Sequence, residues 1–149
     1  MGMVAETKDE TGRAPWDYFS WGHIAMGIMS FLLLVLINII PTYVDQALVY
    51  IIPYWWMLIL TIVVGIVWEI IENTIFVETG LKFENRRDSF VNATWDVIFV
   101  SLGALYIWIL KGVMINLIGV HLILAFYIVG IVSFIVVIIA FLIGRAMTK

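Results

Sequence analysis

The chain has no cysteine, which excludes disulfides and thiolate metal sites. Charge is scarce as well: Asp, Glu, Lys and Arg make up 13% of the 149 residues. The small balance is acidic, at -3, and argues against nucleic acid as a partner. The opening residues, "MGMVAETKDETGRA", lack the basic n-region and apolar h-region of a secretory signal, so none is expected. Glu6 stands where myristoylation wants Ser or Thr, so that modification is not expected either. There is no internal repeat and no low-complexity tract.

Apolar side chains dominate instead. They form 64% of the chain, against roughly 45–50% in a soluble domain, and the mean hydropathy is +1.10. An integral membrane protein with one domain is expected. Four stretches reach the roughly 20 residues a bilayer crossing needs: about 18–40, 54–77, 88–110 and 118–143. The expected fold is an all-α four-transmembrane-helix bundle over residues 15–149. A disordered polar tail is expected over residues 1–14, with "PWDYFSW" as an aromatic anchor at the membrane interface. The first span is expected to stop before Pro41. The loop "PTYVDQALVYIIP" is then expected to carry a short interfacial helix between its two prolines. Gly80 is a candidate terminator of the second helix.

Basic residues orient the bundle. Lys8, Arg13, Lys82, Arg86, Arg87, Arg145 and Lys149 fall on one side and Lys111 alone on the other. Both termini are therefore expected in the cytoplasm, with the bundle in the plasma or bacterial inner membrane.

Polar residues interrupt the spans in stripes. At about 100° per residue, Gly65, Glu69, Glu72, Asn73 and Phe76 share one arc of helix two. Asp88, Asn92, Asp96 and Gly103 share one arc of helix three, with Ser89 at its border. Trp16, Ser20, His23, Gly27 and Ser30 line up on helix one. Trp68 is expected to face packing or lipid. Helix four, broken only by Gly130 and Ser133, reads as a lipid-facing wall. Depth agrees with direction: Glu69 lies about 13 Å above the end of helix two, and Asp96 about 12 Å above Asp88, at 1.5 Å per residue. With His23 near the start of helix one, these residues converge on one pocket in the cytoplasmic leaflet. Gly27, Gly65 and Gly103 would let the helices approach closely there.

An ionised carboxylate inside the membrane costs about 2.5–3.5 kcal/mol even on the lenient insertion scale, and neighbouring carboxylates repel. A metal ion, Arg86 or Arg87 folding back, protonation or a polar substrate must compensate. Plainer readings stand beside the functional one. Glu69 and Glu72 as a protonated pair would bond across helices, His23 would be an interfacial histidine, and "ENRRD" would be only a positive loop. "NAT" at Asn92 matches a glycosylation sequon, but its place inside a span makes that reading poor. His121 starts helix four on the opposite side and is left outside the site.

Three segments carry a family resemblance: "PWDYFSWGHIAMGIMSF", "WEIIENTIF" and "RRDSFVNATWDVIFVSLGA". Together they resemble a family of small uncharacterised prokaryotic multi-pass membrane proteins, marked by WExxEN and DSxxNxxxD motifs. The positions matching the motifs are Trp16, Asp17, Ser20, His23 and Gly27, then Trp68, Glu69, Glu72 and Asn73. Asp88, Ser89, Asn92, Asp96 and Gly103 complete them. The pattern is more loosely similar to the VanZ-like proteins linked to glycopeptide resistance. The resemblance spans about 90 residues and leaves out the tail, the first loop and helix four. It implies a fold and a site, and no particular reaction.

Three functions fit these residues. The first is a membrane-embedded hydrolase or transferase acting on a lipid-linked or phosphate-bearing substrate. His23, Glu69, Glu72 and Asp96 would be catalytic, and the same four with Asp88 would hold Mg²⁺, Mn²⁺, Fe²⁺ or Zn²⁺. Asn73, Asn92, Ser89, Arg86 and Arg87 would contact substrate, the arginines through phosphate. The second is a non-catalytic accessory subunit of a larger membrane complex, such as an oxidoreductase or monooxygenase, with partner subunits in the bilayer. The third is a proton or cation pathway, which the scarcity of polar residues in the outer half disfavours.

Overall fold

A computed structural model describes residues 2–82 and 85–148. Four of its helices are long and apolar enough to cross a bilayer, and the protein is an all-α integral membrane bundle. Helix α1 spans Phe19–Asp45. Helix α2 spans Tyr54–Ile71 and continues as a π-helical turn, Glu72–Phe76. Helix α3 spans Phe90–Lys111 and widens into a second π segment, Gly112–Ile118. After one 3₁₀ turn, Val120–Leu122, helix α4 spans Ile123–Met147. Lys149, one of the seven basic residues of the charged end, and residues 83–84 of the second loop lie outside the described residues.

Caps and breaks explain these boundaries. Asp17 Oδ1 accepts the N–H groups of Phe19 and Ser20, at 2.8 and 3.3 Å, while Ser20 Oγ accepts the N–H of Asp17. This reciprocal pair satisfies donors that open α1. Ser89 Oγ accepts the Asn92 N–H at 3.1 Å, so Asp88 and Ser89 precede α3 rather than belong to it. Gly119, at φ 147°, gives the chain a conformation that side chains rarely adopt, and there α3 ends.

The first loop departs from expectation. α1 does not stop before Pro41 but runs through it, and residues 46–53 hold no helix. Pro41 costs one backbone hydrogen bond, yet the buried Asn38 and Thr42 beside it hold the loop. Asn38 Oδ1 accepts the N–H groups of Ile51 and Ile52, at 2.9 and 3.0 Å, and its amide donates to the Ile52 carbonyl at 2.7 Å. Thr42 Oγ1 accepts the Val49 N–H at 3.0 Å. With its polar groups met by α1, the loop has no need of a helix of its own.

The N-terminal residues also depart from expectation, because they are folded against the bundle. The Arg86 guanidinium donates to the carbonyls of Lys8, Asp9 and Thr11, at 2.7, 3.0 and 2.7 Å. The Ser89 N–H reaches the Gly12 carbonyl at 2.7 Å, and the Asn92 amide reaches that of Ala14 at 2.8 Å. Thr11, Gly12 and Ala14 are buried. The segment has little apolar surface of its own. It is held by side chains at the start of α3, which a reading of local composition does not see.

Helices α1 and α3 form the centre, α2 leans on both, and α4 packs mainly on α1. Small residues set the central contact. A Cβ on Gly27 would lie 2.0 Å from the Val100 carbonyl oxygen, and one on Gly103 would lie 2.2 Å from that of Ile24. Gly65 brings α2 against the Val100 side chain. Phe31, Val35, Met57, Ile107 and Phe126 fill the core beyond them. The outer faces of α2 and α4 are apolar and exposed, as a bilayer requires.

Candidate metal centre

His23 is the hub of the polar cluster. It lies one turn into α1, four residues after Phe19, and is buried. Its Nδ1 is 3.1 Å from the Phe19 carbonyl and 3.2 Å from Asp96 Oδ1. Its Nε2 lies 3.0 Å from Glu69 Oε1 and 4.0 Å from Glu72 Oε2. The ring therefore stands between α3 on one edge and α2 on the other. Ligand atoms of His23, Glu69 and Glu72 all lie within 4.8 Å of one another.

The contacts are close, yet the hydrogen bonding is incomplete. Glu69 Oε1 and Asp96 Oδ1 are buried and have no aligned hydrogen-bond donor, despite their short distances to the imidazole nitrogens. A buried carboxylate oxygen without a donor is costly. The other atoms are well tied. The Asn73 amide donates to Glu69 Oε2 at 3.2 Å and to the Glu69 carbonyl at 3.0 Å, and Trp68 Nε1 donates to Glu72 Oε2 at 2.9 Å. Lys82 sits 3.6 Å from Glu72 Oε1, forms an ion pair with Asp88, and donates to Asn73 Oδ1 at 2.9 Å. The same Asn73 oxygen accepts the Asp88 N–H at 2.7 Å.

The structure sorts the sequence candidates by place. Glu69 and Glu72 share the Nε2 edge of His23, as expected of ligands. Asp96 is on the opposite edge of the ring, outside the group of His23, Glu69 and Glu72 whose ligand atoms gather. Asp88 also lies outside that group, in an ion pair with Lys82. Asn73 does lie in the cluster, where it bridges α2 to the loop. Asn92 and Ser89 hold the N-terminal segment and the start of α3, away from the cluster. Arg86 is committed to carbonyls of that segment. Arg87 lines a separate cavity with Arg13 and Pro15. Of packing or lipid, Trp68 meets packing: it stands four residues before Glu72, one helical turn away, binds its carboxylate and packs on Phe76.

Three residues outside the sequence candidates matter here. Lys82 counted only as loop charge, since nothing local shows that the chain after Gly80 folds back over α2. Arg145, on the helix read as a plain lipid wall, lines the same cleft as His23. Asp17 is buried beneath the N-terminal segment. Burial pushes its carboxyl above the usual carboxylate range, against the lowering effect of N–H donors from Gly12, Phe19 and Ser20.

The cluster opens into a cleft of about 420 Å³ with α1 as floor and α2 and α4 as walls. His23, Trp68, Glu72, Lys82 and Arg145 supply its polar surface, and Phe19, Met26, Phe76, Leu81 and Phe141 its apolar surface. One imidazole with two carboxylates suits a hard or borderline divalent cation. An imidazole whose other nitrogen meets a carboxylate and a carbonyl is the usual support of such a ligand. Comparison of the chain with family models, with curated proteins and with solved structures gives no match.

Proposed function

We propose that this protein is a membrane-embedded hydrolase or transferase, dependent on a divalent metal, that acts on a lipid-linked or phosphate-bearing substrate. The observation that carries this reading is the His23 imidazole held between Asp96 on one edge and Glu69 with Glu72 on the other. Charge supports it. With Glu69, Glu72, Asp88 and Asp96 ionised and His23 neutral, Lys82 leaves three negative charges. A divalent cation at Nε2 would offset two of these and satisfy the orphaned Glu69 oxygen.

Each side chain then has a task. A proton on Nδ1 would go to the Phe19 carbonyl, with Asp96 close to the same edge, which leaves the Nε2 lone pair for a ligand bond. Glu69 and Glu72 supply carboxylate oxygens, steadied by Asn73 and Trp68. A metal held there would polarise a substrate oxygen or lower the pKa of a bound water. Lys82 fixes Glu72 from the side away from His23 and balances Asp88. The same reading places the charged end of the bundle, with both termini, in the cytoplasm.

Elemental analysis of the chain purified in detergent tests the proposal. Stoichiometric metal is expected in the wild type and its loss in Glu69→Gln and Glu72→Gln. Asp96→Asn is expected to keep the ligands but weaken affinity by about 10- to 100-fold, as loss of a supporting carboxylate does. A metal-free wild type, or equal metal in all four proteins, would sink the reading.

A further inference from the structure

Arg145 belongs to the last turn of α4 and lines two cavities at once. One is the cleft that holds His23 and Glu72. The other, about 360 Å³, is bounded by Lys8, Tyr18, Arg145 and Thr148, and among the described residues no carboxylate lines it. Among the described residues neither Arg145 nor the Lys8 ammonium forms an ion pair. Lys82, the remaining cation of the cleft, is consumed by Asp88 and Glu72. Asp88 and Glu72 are thus engaged by Lys82 at the inner end, while uncommitted positive charge stands at the rim.

The walls say what kind of molecule would meet that charge. Phe19, Met26, Phe76 and Phe141 line the cleft between α2 and α4. Val67, Ile70, Leu142 and Ile143 on the outer faces of the same helices are exposed, where hydrocarbon surrounds them. A ligand that enters sideways between these helices must have an apolar body. One that meets Arg145 and Lys8 must have an anionic head. A guanidinium fork matches two oxygens of a phosphate.

We infer that the cleft admits an amphiphile with a phosphate headgroup from the bilayer, and that Arg145 with Lys8 holds the phosphate while the chain lies between α2 and α4. The inference rests on the proposed metal-dependent reading only for what happens at His23. It assigns phosphate recognition to Arg145 and Lys8, in place of Arg86 and Arg87. Glycine-sized gaps are not needed for entry, because α2 and α4 reach the floor of the cleft separately and each packs on α1.

The test is equilibrium binding of short-chain phosphatidic acid to the full chain in detergent. Short-chain phosphatidylcholine and inorganic phosphate are the comparison probes, and metal content is measured on every sample. The wild type is expected to bind phosphatidic acid well above both. Arg145→Gln is expected to weaken it on the order of tenfold or more, the worth of a charge-assisted hydrogen bond. Arg145→Lys restores part of the affinity, Lys8→Gln weakens it less, and all three variants keep the metal content of the wild type. Equal binding of phosphatidic acid and phosphatidylcholine overturns the inference, as does undiminished binding by Arg145→Gln. Inorganic phosphate binding as tightly as the lipid overturns it too, since the apolar cleft would then contribute nothing. The two readings fail separately. Metal retained with lipid binding indifferent to Arg145 sinks this inference alone. Lipid binding that depends on Arg145 in a metal-free protein sinks the metal reading alone.

Discussion

Lys82 has three acceptors around its ammonium: Asp88, Asn73 and Glu72. All lie in a largely buried setting, so the pair cannot be broken cheaply from one side. Lys82→Met is expected to destabilise the protein by about 3–5 kcal/mol, the usual result of stranding a buried charge. Lys82→Met with Asp88→Asn is expected to recover much of that loss. Thermal unfolding in detergent checks both, and a double variant no more stable than the single one would remove the ion pair from the account. The gathering of His23, Glu69 and Glu72 was legible in the sequence, since each breaks an apolar span on a polar stripe. The different positions of Asp96, at the Nδ1 edge, and Asp88, beside Lys82, were not. A helical arc gives the direction a residue faces and says nothing about which edge of an imidazole it will meet.

At the scale of the element, the α1–α3 contact is built on absence of side chains. Gly27→Ala would drive a methyl group into the Val100 carbonyl, and Gly103→Ala would do the same at Ile24. Each is expected to cost about 1–3 kcal/mol, as overpacking does, and to lower the thermal midpoint in detergent. Gly112→Ala, with nothing within 4 Å of the added carbon, serves as the control and should be close to neutral. Equal effects at all three positions would mean that helix propensity decides, not packing. The glycine stripes were readable because small residues recur at helical spacing. Continuation of α1 through Pro41 was not, because it depends on hydrogen bonds from Asn38 and Thr42 to residues 49–52, which only the fold brings near. The π-helical turn at Glu72–Phe76 has no sequence signal either, though such turns gather at functional sites.

For the molecule as a whole, four crossings and the uneven spread of Lys and Arg make a claim about sidedness. The absence of native cysteine makes that claim easy to test. Thr7→Cys is expected to react with a membrane-impermeant maleimide only after cells are opened. Leu48→Cys, in the first loop, is expected to react on intact cells. The reverse pattern would invert the bundle, and labelling of both on intact cells would contradict α1 as a crossing. The four spans themselves were plain in the sequence, since hydropathy and length alone decide them.

The segment before α1 does more than cover the end of the bundle. Asp17 fixes both Gly12 of that segment and the first turn of α1, and His23 rides on the next turn. Through Asp17 the segment and the imidazole share one support, and on the proposed reading any coupling between them would run equally in both directions. A metal beside Nε2 would then tighten the N-terminus, and loosening the N-terminus would weaken the hold on that metal. The N-terminal segment would thus act as a distant weight on the affinity of a centre to which it lends no ligand.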